Sequence, residues 1–410
     1  MLKGYLKKWL FLALLLCASF VISLRSGVEF FSFFFWAMAV IIALSAAWMF
    51  AGYHASGLVF TRHIPLKIYE DDTLPVELQL NSKGIFPIFN LVVEDYLPCA
   101  SSGEENKRLL VEYLPPGKQI NFSFKVVCSK RGRYTLGPVK AYFFDPLGLF
   151  FVRKIFSVRS DLYVYPRYFN IAKFPPLTKG VLPWFGVVTG RRGGGDDEFF
   201  GTREYKRGDP IKLIHWFSSA RKNTLIVKEF QNQNFCRATI IFNLSQADNF
   251  GEGKESVVEY MIKIAASVAK YLLEHDVAVE IIAHAEEMVQ IPSNKGAEHL
   301  EDIFRFLAVA QAQSRVTLEE VFEDFVRFIP NDSNLIIIMP DRDWEYLQGM
   351  LMLSQRSVAL IPLILILSSF LGVGEKEKIE KSVAMCLSGQ LNLCPLLFSR
   401  GDNLEEVFLR

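Results

Sequence analysis

The chain has 410 residues, 51% of them hydrophobic, and its 45 basic and 44 acidic residues leave a formal net charge of +1; the mean hydropathy is +0.22. The near-zero charge argues against a nucleic-acid-binding protein, which usually carries a basic excess, and the composition excludes a disordered or collagen-like chain. The length allows two or three domains, each with a sizeable core. The apolar residues are unevenly spread: 44 of the first 60 are Ala, Val, Ile, Leu, Met, Phe, Trp, Tyr or Cys. The remainder of the chain, at about 47%, is ordinary for a soluble protein.

Two uncharged apolar runs, residues 9–24 and 30–50, predict a transmembrane helical hairpin within residues 1–60. At about 1.5 Å per residue the second run spans a hydrocarbon core of about 30 Å, and the first falls a little short. Lys7 and Lys8 extend the usable length of the first by snorkelling. Lys3, Lys7 and Lys8 precede the hairpin and Arg62, His63 and Lys67 follow it, whereas the connecting turn carries one Arg25 and one Glu29. The positive-inside rule then places both termini in the cytoplasm, with the chain a multi-pass protein of the inner (cytoplasmic) membrane. The rival is a cleaved signal peptide, given the basic start and apolar middle. It lacks a small-x-small cleavage site after Cys17, and Leu16 does not suit a lipoprotein signal. The six cysteines form no C-x-x-C pair, a sparse pattern that suits a reducing compartment.

Residues 61–170 read as short strands (76–80, 91–93, 120–128, 139–144, 162–165) separated by turn residues such as Pro115-Pro116-Gly117 and Lys130-Arg131-Gly132. Period-two alternation and a strand every 8–12 residues or so predict an immunoglobulin-like β-sandwich. Residues 171–235 are expected to be a linker, rich in Pro and Gly, followed by a motif-like stretch. From residue 236 to 410 the pattern alternates apolar strands (238–244, 277–283, 335–339, 358–367, 391–398) with helical stretches (255–274, 297–311, 318–328, 344–356, 376–386). Continuously apolar strands alternating with helices predict a doubly wound, Rossmann-type α/β domain with both faces of a parallel sheet covered. The ten apolar residues of 358–367 are too few for a third membrane span and read as a core strand.

The densest polar cluster is Arg203-Glu204-Tyr205-Lys206-Arg207-Gly208-Asp209-Pro210, continuing through His215-Trp216 to Ala220-Arg221. Buried Arg–carboxylate pairs holding an irregular segment are the favoured reading, with Trp216 as a cation–π face for one of the arginines. His215, Ser218, Ser219 and Asp209 have the residue types for nucleophilic catalysis, but no G-x-S-x-G elbow is present. No Lys-Ser/Thr follows Gly193-Gly194-Gly195 and no H-E-x-x-H occurs, so neither ATP hydrolysis nor zinc chemistry is expected. Asn243-Leu244-Ser245 and Pro340-Asp341 end two strands, and Thr317 opens a helix, so their oxygens can converge on a hard cation.

Three stretches make the chain resemble a bacterial family, the domain of unknown function 58 proteins. They are residues 130–139 (KRGRYTLGPV) with 145–150 (DPLGLF), the Arg203–Arg221 cluster matching R-x-Y-x-x-G-D and W-x-x-x-A-R, and the strand, loop and helix from Ala238. The resemblance implies two membrane helices, a β-domain, a signature segment carried by Arg203, Tyr205, Gly208, Asp209, Trp216, Ala220 and Arg221, and a von Willebrand factor A-like domain. That fold often holds a divalent ion with D-x-S-x-S, a Thr and a later Asp. Here Asn243 and Ala247 replace an Asp and a Ser, while Ser245, Thr317 and Asp341 match. The resemblance therefore implies a degenerate metal site with weak or no Mg²⁺ binding, and no other cofactor. It also implies a non-enzymatic membrane partner of a MoxR-type AAA+ ATPase and its client proteins in protein assembly or envelope maturation. The alternatives are an extracytoplasmic adhesion or envelope-binding module and a hydrolase acting on envelope precursors.

Overall fold

The structure, a computed structural model, describes residues 2–26, 29–55, 57–145, 147–177, 199–206, 211, 214–230, 236–317, 320–321, 329, 333–341, 350, 353–354, 358–371 and 395–409. It divides into two units, Met1–Arg167 and Tyr168–Arg410.

The first unit begins with helices α1 (Leu2–Ser26) and α2 (Glu29–Ala55). They pack against each other, with the rings of Phe20 and Phe35 5.3 Å apart. The 26 residues Glu29–His54 are long and apolar enough to cross a membrane, with a mean hydropathy of 2.2 and almost none of the stretch buried; Leu10–Arg25 is a shorter apolar segment. Large side chains such as Phe33, Trp36 and Leu44 stand exposed on α2. A helix apolar on all sides has no polar face to turn towards water.

Ten strands follow. β1 (Leu58–His63), β3 (Thr73–Ser82) and β6 (Gln119–Val127) form one antiparallel sheet. β4 (Ile88–Tyr96), β5 (Asn106–Leu114), β8 (Val139–Phe144) and β9 (Phe151–Phe156) form a second, in the order β5-β4-β8-β9. β2 (Lys67–Tyr69), β7 (Gly132–Leu136) and β10 (Ser160–Tyr165) form a third, in the order β2-β10-β7. Alternate residues of β3 point inward, and Leu74, Val76, Leu78 and Leu80 are all fully buried. Leu78 and Leu80 share a cluster with Leu91 and Val93 of β4 and Ala141 of β8, whereas Leu74 and Val76 share another with Leu136 and Leu162. Each such side chain contributes roughly 1.5–3 kcal/mol by leaving water, so β3 is the spine of the unit. Cys99 and Cys128, far apart in sequence, meet in the second cluster. A hydrogen bond with Cys128 lowers the Cys99 thiol, and the same contact with burial raises that of Cys128.

The motif residues 130–150 have structural work. Gly137 has φ +97° and donates its N–H to Tyr96 O at 2.8 Å; a Cβ there would overlap the Val158 carbonyl. The Tyr134 hydroxyl donates to Lys130 O at 2.9 Å. Asp145, without any exposure, accepts from the N–H groups of Leu147 at 3.1 Å and Phe150 at 2.6 Å and from the Ser45 hydroxyl of α2.

Arg62, counted in sequence among the cations flanking the hairpin, is internal. Its guanidinium and the Asp95 carboxylate are both fully buried, joined by two hydrogen bonds, Nε–Oδ2 at 3.1 Å and Nη2 to Oδ1. Nη1 donates to Val158 O at 3.3 Å. Burial pushes the Asp95 carboxyl up from its ordinary value and Arg62 opposes the shift. This residue, seven positions after α2, is thus spent on pairing β1 with β4.

In the second unit, six strands form one sheet in the order β15-β14-β13-β16-β17-β18. They are β13 (Arg237–Asn243), β14 (Ala278–His284), β15 (Met288–Asn294), β16 (Asn334–Pro340), β17 (Ala359–Leu365) and β18 (Leu396–Phe398). All neighbours are parallel except the β14–β15 hairpin. Between β13 and β14 lies α4 (Val257–Glu274), capped at its start by Ser256, whose hydroxyl accepts from Glu259 N at 3.4 Å. α5 (Ala297–Val309) packs on α4. The other face of the sheet, with Ile241, Leu335, Ile337 and Ile364, is covered by Val321, Ile329, Met350 and Leu353. The 358–367 run is a core strand: β18 pairs with β17 only from Leu363 onward, so the missing N–H of Pro362 costs no bond on that side.

Part of the expected linker is packed: Phe174 is buried and stacks on Phe408 at 5.9 Å. Tyr168, expected within the β-sandwich, belongs to the second unit and stacks on Phe304 of α5 at 6.2 Å. Before β13, β11 (Phe199–Glu204) and β12 (Ile226–Phe230) pair antiparallel around a short helix, α3 (Trp216–Lys222). A four-residue helix, α6 (Leu404–Val407), ends the described part. Most of the helices expected at 318–328 and 344–356, all of that at 376–386, and Cys386 and Cys394 lie outside the described residues.

Asp95→Ala leaves the Arg62 charge buried and unpaired, and is expected to destabilise the chain by about 3–5 kcal/mol, whereas an Arg62→Met/Asp95→Leu pair loses much less. Unfolding of the detergent-solubilised protein in denaturant reads both; equal losses would refute the pairing as the source of the effect.

Candidate functional site

The strand order reverses between β13 and β16. The chain proceeds from β13 outward to β14 and β15, then returns to β16 on the other side. In open α/β sheets ligands bind beyond the carboxyl ends of the strands at such a point. Asn243 ends β13, His284 faces it in register at the end of β14, and Asp341 follows the end of β16.

The loop after β13 is strapped to residues 314–317. Leu244 N donates to His284 O at 2.9 Å, Ser314 N to Leu244 O at 3.0 Å, and Gln246 N to Ser314 O at 3.0 Å, with Ser245 bridged to Ser314. The Ser314 hydroxyl meets His284 Nδ1 at 2.9 Å. Asn243 is 5% exposed, and its Nδ2 donates to Val316 O at 2.9 Å. Because a carbonyl needs a donor, this contact fixes which amide atom points where. Asn243 Oδ1 is left buried with no hydrogen-bond partner among the described residues. An unsatisfied buried acceptor costs about 1–3 kcal/mol. Asp341 is also buried, and its N–H donates to Leu365 O at 2.8 Å.

Thr317 is exposed and otherwise engaged. Its hydroxyl accepts from Glu320 N at 3.3 Å while its own N–H donates to Glu320 Oε2 at 3.2 Å. This reciprocal pair is a capping box at a helix start. A hard divalent cation wants several anionic oxygens. Here Asn243 offers a neutral amide, Ala247 has no side-chain oxygen, the Thr317 hydroxyl is a cap, and Asp341 is the one carboxylate of the set. Among the described residues no group of three or more His, Cys, Asp or Glu side chains is placed to hold a metal. The residues present do not fit a tight Mg²⁺ site.

The signature segment forms a separate cluster. Arg203 lies on β11 and donates through Nη1 to Glu204 O at 3.1 Å, and Tyr205 N donates to Leu225 O at 2.8 Å. The buried Ser219 hydroxyl holds α3 to β12, donating to His215 O at 3.0 Å and accepting from Ile226 N at 2.8 Å. Ala220 is exposed. Arg221 lies over the ring of Phe217 at 5.5 Å, so the cation–π face expected at Trp216 is supplied one residue later. Trp216 and Phe217 are 65% and 69% exposed, and Ile211 and Leu225 are exposed as well. Gly208 and Asp209 lie outside the described residues. His215 Nδ1 is 2.6 Å from Ser218 Oγ, a contact between neighbours at the start of α3. Sequence reasoning missed His284, Ser314 and Val316; the shared strand-end register of His284 with Asn243 was the available signal.

Titration calorimetry of the wild-type chain is expected to show no tight Mg²⁺ binding, while Asn243→Asp, which restores a second carboxylate, strengthens binding by at least about tenfold. Tight, Asp341-dependent binding by the wild type would contradict this account of the site.

A 273-residue stretch, 64% of this chain, is 24% identical to the uncharacterized protein YeaD of Bacillus subtilis (strain 168), and covers 65% of that relative's length. Among solved structures, the CARDB domain of the PF1109 protein from Pyrococcus furiosus is 16% identical with a TM-score of 0.21, over 27% of this chain and 93% of that one. The alkylpurine DNA glycosylase AlkC of Pseudomonas fluorescens is 13% identical with a TM-score of 0.18, over 27% and 30% of the two chains. Scores this low carry no argument. Residues 201–345, from β11 through the switch point to just beyond β16, match the family described as "Protein of unknown function DUF58", so this part of the chain is similar to that family.

Proposed function

We propose that this chain is a non-enzymatic, membrane-anchored interaction protein. In this reading α1 and α2 are a transmembrane hairpin in the inner (cytoplasmic) membrane, and both units lie in the cytoplasm. The first unit is an immunoglobulin-like β-sandwich; its support is the one buried cluster shared by β1 and β3 with β4, β5 and β8. The second is a von Willebrand factor A-like domain, supported by its strand order and single antiparallel edge hairpin. The partner is a MoxR-type AAA+ ATPase, with client proteins delivered to it, as the family resemblance implies.

The observation that carries the reading is the acceptor without a donor at the sheet's carboxyl edge. Asn243 Oδ1 is buried and, among the described residues, unpaired, beside strand ends that include the buried Asp341. A docked protein that displaces the loop after β13 brings a Lys or Arg side chain, or a backbone N–H, within reach of such an acceptor, whereas a reaction centre would need a base and a nucleophile held by a third group. The exposed aromatics of α3 supply the residue types that dominate protein interfaces. The hydrolase alternative draws on the His215–Ser218 contact. Among the described residues no carboxylate hydrogen-bonds that imidazole, and the contact is local to one helix turn.

Because Trp216 and Phe217 are exposed, a Trp216→Ala/Phe217→Ala variant is expected to keep its unfolding midpoint while co-purification of the AAA+ ATPase from membranes falls by about tenfold or more. Undiminished co-purification would sink the assignment of α3 to the interface.

A further inference from the structure

The turn between β8 and β9 does not stand clear of the hairpin. Its tip residue Leu147 is 58% exposed, and together with Ile41, Leu44, Ser45 and Trp48 of α2 it lines an open apolar groove of about 230 Å³. The height of this groove along α2 can be read from the hairpin register. Phe20 of α1 meets Phe35 of α2, so with antiparallel helices of equal rise Ser45 lies level with Leu10, and Trp48 level with Lys7. The groove therefore straddles the level at which α1 passes from charged to apolar residues. Ile41 and Leu44 are on its apolar side, and Trp48 is at the position where indole rings gather at membrane interfaces.

We propose that the β8–β9 turn is a membrane-inserted element, with Leu147 among the acyl chains beside α2 and the β-sheet unit seated on the bilayer. The proposal rests on the reading of α2 as a membrane span. The turn is built for an apolar medium. A carboxylate at that depth is expensive unless it is paired or hydrogen-bonded. Asp145 has no exposure, and its oxygens are taken by the Ser45 hydroxyl and the N–H groups of Leu147 and Phe150. What the turn shows to its surroundings is apolar: Leu147 and, at the start of β9, Phe151, 39% exposed. Further along α2 the groups change sign in the expected order. Lys154 holds its ammonium 5.2 Å from the ring of Tyr53, eight residues beyond Ser45, and Arg153 beside it is exposed. That is about 12 Å farther along the helix, the level of lipid phosphates.

The test places the photoreactive residue benzoylphenylalanine at position 147 of the full chain, reconstituted in phosphatidylcholine–phosphatidylglycerol vesicles. Val40, exposed on α2, is the lipid reference. Glu104, exposed in the loop at the far end of β4 from Phe89, which touches Trp48, is the water reference. After illumination, mass spectrometry is expected to find phospholipid adducts at 147 at a yield comparable to position 40 and about tenfold or more above position 104. Adducts at 40 with none above background at 147 would overturn the proposal and leave the membrane span standing. Absence of lipid adducts at both 40 and 147 would overturn the span and the proposal together.

Discussion

The carboxylate of Asp145 has no water to turn to. It is closed in by two backbone N–H groups of its own turn and by one hydroxyl from a helix a hundred residues earlier. A buried anion survives only when its lone pairs are filled, so the turn and α2 must be placed together. From that clasp the rest of the first unit follows. β8, which leads into the turn, pairs with β4, and Phe89 of β4 reaches back to Trp48 of α2. Arg62, a few residues past the helix, closes the other side by pairing with Asp95 near the far end of β4. The helix and the sheets are thus held at three heights, by groups that lose their hydrogen-bond or ring partners when the others move.

The second unit is organised around a different constraint. A parallel sheet covered on both faces needs long crossovers, and the return from β15 to β16 opens a crevice at the ends of β13 and β16. The groups gathered there are mainly amide and hydroxyl: the Asn243 amide donates to a backbone carbonyl, and the Thr317 hydroxyl is committed to a helix cap. Beside them stand a buried oxygen with no partner among the described residues and a buried Asp, and elsewhere in the unit a helix with exposed aromatic side chains; the proposed interaction role builds on these features.

Much of the α/β sheet was legible because its strands are continuously apolar and its helices amphipathic; β13, α4, β14, α5, β16 and β17 all announce themselves by period. The edge strand β15 was missed, since its alternate residues face solvent and its pattern is that of an exposed hairpin arm. β5 was missed for a related reason, carrying Lys107, Arg108 and Glu112 on a sheet edge. Asn243, Ser245 and Asp341 could be nominated because strand ends are visible in sequence. The orphaned acceptor could not, because it depends on which amide atom the Val316 carbonyl, 73 residues away, engages. Arg62 misled for the same reason: its partner Asp95 is 33 residues distant, and a cation near a membrane helix reads as a flanking charge until that partner is seen.

The central claim is a membrane hairpin that holds both units on the cytoplasmic side, where an ATPase can meet them. The most direct measurement is a pair of reporters fused after Arg410 in the intact chain, a fluorescent protein that matures only in the cytoplasm and a phosphatase that works only outside it. The account predicts a fluorescent fusion and an inactive phosphatase. An active phosphatase with a dark fluorescent fusion would contradict it, and would turn the same exposed surfaces towards the cell envelope.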